Sequence, residues 1–302
     1  MRMAAIRKKK VGAEEYYYLA HSFREGGKIV KKEKYLGKVL PKNIDEIKRI
    51  FLSEIYKEKW FSQFDKIKQS FSKDRKATPP SALEKEIKTF AIRFTYDTNK
   101  IEGSTLTLRE TADLLGRGIT PSEKPLRDVK EAEAHMKAFY EMREYKKDIS
   151  LQMVLYFHKK LFEGTKPDIA GKIRQHQVAI AGSKFMPPFP AEVYPLLSDF
   201  FRGYNKNKSS LHPVELAAGV HIKLVTIHPF ADGNGRISRL MMNFVLNKNG
   251  FPMLNIPYEK RGGYYTALER AQVKKDESIF LHWFFKKYLN ECKRYVRNKE
   301  IA

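Results

Sequence analysis

A chain of 302 residues with 42% hydrophobic content is long enough for one large core, with room for an accessory module. No apolar run approaches the ~18 residues of a membrane span, and the start, MRMAAIRKKKVG, lacks the apolar stretch of a secretory signal, so a cytoplasmic protein with no membrane partner is expected. The single cysteine, Cys292, excludes an internal disulfide and agrees with a reducing compartment.

Charge is unevenly spread. The net charge is +23, from 58 basic and 35 acidic residues, and residues 1–76 alone carry 21 basic and 10 acidic side chains. Within that quarter, Glu15 to Ala20 and Lys28 to Gly37 read as two strands joined at Gly26-Gly27, a basic β-hairpin module over 1–40. Tyr and Lys side by side are the ingredients of a nucleic-acid platform, which makes residues 1–76 a candidate nucleic-acid partner site; a lysine-rich surface kept for solubility has the same composition. Ile44, Ile47, Ile50, Phe51 and Ile55 then recur at helical spacing, and Ser72 to Ser81, containing Pro79-Pro80, reads as a linker, giving a helix-and-linker segment over 41–81.

Leu83, Ile87, Phe90, Ala91 and Phe94 form the stripe of a helix that Gly103 is placed to end. Thr98 and Glu102 are four apart and share a face, and a carboxylate in a last helical turn opposes the helix dipole unless a cation faces it. Farther on, Gly171 to Arg174 and then Val178, Ala179, Ile180, Ala181 and Gly182 alternate apolar and small residues before Pro187-Pro188, the pattern of a short hairpin. Pro213 opens a helix whose stripe is Leu216, Val220 and Leu224, widened by Ala217 and His221. Ile237, Leu240, Met241, Phe244 and Val245 repeat the period until Gly250 and Pro252 stop it. Tyr264, Tyr265 and Gln272 could stack and read a base, with a buried core tyrosine as the plainer reading of Tyr264. From Phe280 to Ile301 the chain is an aromatic helix turning basic, a packing or homo-oligomer element whose tail is 291–302.

Between the two central helices lies HPFADGNGRISR, His228 to Arg239. Gly233 and Gly235 at a helix start expose backbone N–H groups that can form an anion nest. His228, with an ordinary pKa near ~6.5, can take a proton at neutral pH. Asp232 is a hard oxygen ligand of the kind Mg²⁺ accepts. Arg236 and Arg239, three apart, can grip phosphate oxygens, and Asn234 can donate an amide hydrogen bond to them. Taken singly, each also reads as a cap, a turn former or a solvated face.

This stretch resembles the signature of the Fic family, HPFx[DE]GNGRxxR, and matches all nine of its specified positions. The resemblance implies a mainly α fold over 82–290 with a small β-hairpin flap, preceded by the basic β+α N-terminal module. It also implies transfer of AMP from ATP, with Mg²⁺, to a Ser, Thr or Tyr hydroxyl of an unknown target protein. In that family His228 would be the base and Asp232 the metal ligand. The backbone of Gly233 to Gly235, with Asn234 and Arg236, would hold phosphates, and Arg239 would reach the γ-phosphate. Tyr265 and Gln272 would line the adenine pocket, and Val178 to Gly182 would form the target-docking flap. The Doc branch, which phosphorylates its target, has a lysine where this chain has Gly235, so the resemblance favours adenylyl transfer. Thr98 to Gly103 resembles the family's inhibitory motif [ST]xxxE[GN], on a helix near 83–103. Glu102 paired with Arg239 would then keep ATP in an unproductive pose. Removal of AMP at the same site, and a nucleic-acid-binding regulator that uses the domain as a nucleotide sensor, are the alternatives.

Overall fold

The computed structural model describes residues 2–25 and 28–297. The expected turn at Gly26-Gly27 and the last five residues of the expected tail, 298–302, lie outside the described residues. The chain divides into two compact units, 1–65 and 66–302.

The first unit holds a three-stranded antiparallel sheet in the order β1 (Arg2–Val11), β2 (Glu14–Glu25) and β3 (Lys28–Gly37). The sequence reading missed β1, because Ala4 is buried while Ala5 to Val11 are exposed, and the consecutive run Arg7-Lys8-Lys9-Lys10 shows no alternation. Period-two alternation sorts the side chains onto two faces. Leu19, His21 and Phe23 are buried on one. The Lys59 ammonium lies 4.1 Å from the Phe23 ring, and Glu58 pairs with Lys32 at 3.0 Å. Lys59 and Glu58 belong to a single π-helical turn, Lys57–Phe61, that follows α1 (Ile44–Tyr56). On the opposite face Tyr35 packs on Tyr18 and Tyr16, with ring centroids 5.3 and 6.1 Å apart. Glu33 sits on that face between Lys9 and Lys31, 2.7 Å from each, and these two lysines hold its carboxyl at about 2. The aromatic face therefore spends part of its positive charge on its own acid.

α2 (Ser62–Ala77) corrects the expected linker. Ser72 to Ala77 are helical, and only Thr78 and Pro79 separate α2 from α3 (Pro80–Ile101). Lysine, arginine and alanine propagate a helix well. Thr78 closes α2 by donating to the Asp74 carbonyl at 3.0 Å, and Pro80 takes the first helical position of α3, where its missing N–H costs nothing.

The second unit is all helical: after α3 come α4 (Leu108–Arg117), α5 (Leu126–Glu144), α6 (Leu151–Phe162), α7 (Pro190–Asn207), α8 (Pro213–Ile227), α9 (Asn234–Lys248), α10 (Arg261–Val273), α11 (Ser278–Glu291) and α12 (Lys293–Arg297). α8 and α9 are buried almost all round rather than along a stripe, which makes them the central pair. The C-terminal helices pack inward: Phe280, Phe284 and Tyr288 are buried, and the Tyr288 hydroxyl donates to the Pro252 carbonyl at 2.9 Å. Among the described residues no helix is long and apolar enough to cross a membrane.

The segment between α6 and α7 differs from the expected hairpin. Residues 174–189 contain no paired strand; one tight turn, Ser183 N–H to the Ile180 carbonyl at 3.1 Å, reverses the chain beside Gly182 at φ +74°. Pro187, Pro188 and Pro190 remove the donors a ladder needs. Gln177 substitutes a side-chain amide, donating to the Pro187 carbonyl across the loop at 2.9 Å.

Candidate active site

α8 ends at His228, whose backbone is left-handed at φ 53°, ψ 56°. A non-glycine residue pays about 1–2 kcal/mol for that conformation, so it needs support. The His228 N–H donates to Leu224 at 3.0 Å, and its carbonyl accepts from the buried Arg174 Nε at 2.8 Å. Nδ1 lies 3.1 Å from the Val225 carbonyl. A carbonyl only accepts, so Nδ1 carries the hydrogen and Nε2 keeps a lone pair. Burial, and less strongly Arg174, push the imidazole below its ordinary pKa against the pull of the Val225 carbonyl, so the ring is neutral at pH 7.

The loop after His228 is held from inside. Asn234 accepts from the Phe230 N–H at 2.9 Å and donates to the Phe230 carbonyl at 2.8 Å. The Asn234 amide expected to reach phosphate thus also closes its own loop, through Oδ1 and one of the two Nδ2 hydrogens. His158 of α6 stacks on Phe230 at 3.7 Å. Its Nδ1 accepts from the Gly171 N–H at 2.9 Å, which makes Nε2 the donor to the Asp232 carbonyl at 3.0 Å. Burial takes its pKa down to about 4.

Gly233 has φ +80°, and a Cβ there would stand 2.4 Å from the Phe162 ring, so both conformation and space demand glycine. Bonding within α9 starts with Ile237 N–H to the Gly233 carbonyl at 3.0 Å. The N–H groups of Asn234, Gly235 and Arg236 are left for an anion. Burial opposes ionisation of Asp232, but Arg236, Lys166 and the Gly233 N–H outweigh it and hold the carboxyl at about 2. Arg236 is 3.2 Å from Asp232, bonds Glu131 of α5, and lies 4.5 Å above the Phe162 ring. Lys166 bonds Asp232 as well. Asp232, Arg236, Lys166, Glu131, Asn99 and Glu102 line one cavity of about 180 Å³. The Asn99 amide, buried in that lining, makes no hydrogen bond through either Oδ1 or Nδ2.

One helical turn along α9, Arg239 is almost fully enclosed. Its Nη2 is 2.6 Å from Glu102 Oε1 and 3.3 Å from the Thr98 carbonyl. Nη1 donates to the Tyr264 hydroxyl at 3.3 Å, and that hydroxyl meets His221 Nε2 at 3.0 Å. Glu102 caps α3, and Gly103 at φ +96° turns the chain away, with Ser104 N–H returning to Asn99 O at 3.0 Å. Thr98 thus contributes a carbonyl to the arrangement. Gly235 makes the contact possible: a Cβ there would be 2.3 Å from Glu102 Oε1 and 3.0 Å from Arg239 Nη1.

Other expected residues lie nearby. Tyr265 donates to the Ile101 carbonyl at the end of α3 at 3.1 Å, and Gln272 bonds Thr226 near the end of α8 at 3.2 Å. Tyr264 is buried, in keeping with its plainer reading, yet it also bonds Arg239. Val178 to Gly182 sit on the unpaired loop, which is anchored to α10 where Lys184 N–H meets Glu269 at 2.9 Å. Glu131, His158, Lys166, Arg174 and His221 escaped sequence reasoning as site residues. Only His221 carried a signal, as a polar residue on an otherwise apolar stripe.

Residues 148–246, which take in α6 to α8 and most of α9, match the model of the Fic/DOC family. The Protein adenylyltransferase Fic of Drosophila persimilis is 36% identical over 195 residues, 63% of this chain and 38% of that protein. The chain therefore spans well under half the length of this curated relative. A Fic-domain signalling protein from Bacteroides thetaiotaomicron superposes with a TM-score of 0.69 at 27% identity, covering 77% of this chain and 96% of that one. A fragment of Fic-1 from C. elegans gives 0.69 at 26% identity, covering 84% and 76%.

Proposed function

We propose that this chain, which carries a Fic domain, is a protein adenylyltransferase that moves AMP from ATP to a Ser, Thr or Tyr hydroxyl of a target protein and is held in check by Glu102. The observation that carries the reading is the pairing of two arrangements on α9. Its N-terminus offers free N–H groups beside a histidine with a bare Nε2, while its second arginine is taken by Glu102.

The reaction uses this chain's groups as follows. His228 Nε2 removes the proton of the target hydroxyl, whose oxygen bonds the α-phosphorus of ATP. The bond from that phosphorus to the oxygen bridging to the β-phosphate breaks, and pyrophosphate leaves with the electron pair. The depressed pKa keeps His228 unprotonated and ready at neutral pH. Arg236 and the N–H groups of 234–236 offset charge building on the phosphates. Arg239, once Glu102 leaves it, would be the guanidinium that reaches the terminal phosphate.

The donor set suits Mg²⁺ delivered with nucleotide. Among the described residues no cluster of three or more His, Cys, Asp or Glu could cage a metal alone, and Mg²⁺ characteristically takes one or two carboxylates and completes its shell with phosphates and water. Asp232, ionised and lining the cavity, would hold it after giving up Lys166. When bound, the ion would neutralise phosphate charge and orient the leaving group.

Incubation with ATP labelled on the α-phosphate tests the reading. Glu102→Gly should label itself or lysate proteins, and further replacement of His228 by Ala should abolish the label. A Glu102→Gly chain that binds ATP yet transfers nothing would overturn it. Release of free AMP from a modified protein by the unaltered chain would instead favour removal of AMP, with Glu102 orienting water. Nucleic-acid binding through 1–76 rests on its charge and its Tyr–Lys pattern, and would require salt-dependent retention on DNA that vanishes when those residues are deleted.

A further inference from the structure

We propose that Arg174 is the positioning residue that locks the 174–189 loop and the base His228 into one rigid unit, fixing where a target hydroxyl meets Nε2. The proposal rests on the adenylyltransferase reading for its catalytic consequence and on geometry alone for the clamp.

Arg174 is 3% exposed, and its guanidinium meets backbone carbonyls instead of a carboxylate. Nε donates to His228 O at 2.8 Å, Nη1 to His176 O at 3.0 Å, and Nη2 to Pro188 O at 2.6 Å. Its own N–H donates to Pro229 O at 3.0 Å. His176 and Pro188 are the two legs of the loop, and His228 and Pro229 are the start of the catalytic motif. One side chain thus ties three separate points of backbone together.

Little else ties the two legs of the loop together, since the Ser183 turn and the Lys184 anchor to Glu269 both lie at its far end. No strand ladder joins its legs, and three prolines in and next to its second leg withhold donors. The Gln177 amide to Pro187 O at 2.9 Å is the one further strap across it. At the other end, Arg174 bonds the carbonyl of a residue in a left-handed conformation that costs energy to keep. Guanidinium geometry is essential here. A planar fork whose three nitrogens stand apart can reach three separated carbonyls at once, whereas the three donors of an ammonium radiate from a single nitrogen and cannot span them in this geometry. Burying a guanidinium among carbonyls costs desolvation, seen in its lowered pKa, so the site gives up stability to hold this geometry.

The test uses the full chain with Glu102→Gly, and two variants added to it: Arg174→Lys, which keeps the charge, and the surface change Gln177→Ala, which keeps the fold. Hydrogen exchange without nucleotide should show amides of 176–188 exchanging faster in both, more so in Arg174→Lys, with α9 unchanged. At saturating ATP, Arg174→Lys should label itself about 100-fold more slowly, as a misplacement of about 1 Å would produce. Its ATP affinity by calorimetry should stay within about three-fold, because ground-state binding is untouched. Unchanged exchange over 176–188, or a fall in ATP affinity that parallels the loss of labelling, overturns the proposal. If the Glu102→Gly parent labels nothing, the adenylyltransferase reading fails, while exchange still decides the clamp.

Discussion

Arg236 and Arg239 lie three residues apart on α9, both are buried, and their surroundings differ in kind. Arg236 shares Asp232 with Lys166 and has Glu131 as a second acid. Arg239 has one acid, Glu102, and otherwise neutral partners: the Thr98 carbonyl and the Tyr264 hydroxyl. Charge on the Arg236 side can be redistributed when a phosphate or a cation enters, because each group there has a substitute. On the Arg239 side a single carboxylate from a helix 137 positions away decides everything. On the proposed reading the first is a buffered binding site and the second a switch.

If that contrast is right, the largest effect comes from removing the lone partner. Glu102→Gly should raise labelling by about 100-fold, within the range of coupling energies that switches of this kind display. Glu131→Gln, which removes one of several acids on the other side, should leave the unaltered chain as quiet as before. Equal gains from both would erase the distinction. Gly235→Ala should follow, since its methyl would overlap Glu102 Oε1. The carboxylate is the end of a flexible side chain and can swing aside, so labelling should rise about ten-fold with little loss of stability. An unaltered rate alongside an intact ion pair in a structure of that variant would show that the methyl is accommodated.

Asn234 and Glu102 mark how far sequence could reach. The motif from His228 to Arg239 was legible because its helices flank it directly and their periodicity is strong. The neighbourhood of Glu102 and Arg239 was reachable only through a family pattern, because spacing within a chain says nothing of contacts so distant. Asn234 was read incompletely for a different reason: residue type shows that an amide can donate, not that its own loop will also claim it. Glu131, His158 and Lys166 come from α5, α6 and the turn after α6, with no local feature to set them apart. The N-terminal strand was lost because consecutive basic residues, Arg7 to Lys10, occupy both of its faces. In each miss the deciding partner lay across space, or a charge run concealed the period.

A smaller effect tests the buffered side. Lys166→Met removes the cation that competes with a metal for Asp232, so Mn²⁺, read by its paramagnetic resonance, should bind about ten-fold more tightly with nucleotide present. That is close to the effect of one largely solvent-screened charge, about 1 kcal/mol at ~4 Å, as suits side chains this accessible. Weaker binding would mean that Lys166 serves the phosphates more than it blocks the ion. Tyr264→Phe, on the switch side, should cost about 1 kcal/mol of stability for a lost buried hydrogen bond. Its labelling should stay near that of the unaltered chain, because Glu102 still holds Arg239. Chemical denaturation and the α-label assay measure the two.

The effect that is smallest at neutral pH separates the two sides by acidity. His158 supports the Asp232 loop and has a pKa of about 4; His221 supports Arg239 through Tyr264 and lies at about 3. Burial depresses both, so between these values and the ordinary ~6.5 the unfolded chain binds protons that the folded chain refuses. Stability from these groups is complete above about pH 6.5 and falls as the solution is acidified, by up to about 1.4 kcal/mol per pH unit for each histidine. The decline from His158 ends near pH 4 and that from His221 near pH 3. On reaching pH 4 the His158 Nδ1, which accepts from the Gly171 N–H, becomes a donor facing a donor, and the Asp232 loop loses its support. His221 is still neutral there, and Arg239 stays held. Histidine ring resonances should therefore show the His158 midpoint about one pH unit above that of His221. Exchange near Asp232 should quicken before exchange near Tyr264, and the reverse order would mean that the two arginine surroundings are equally braced.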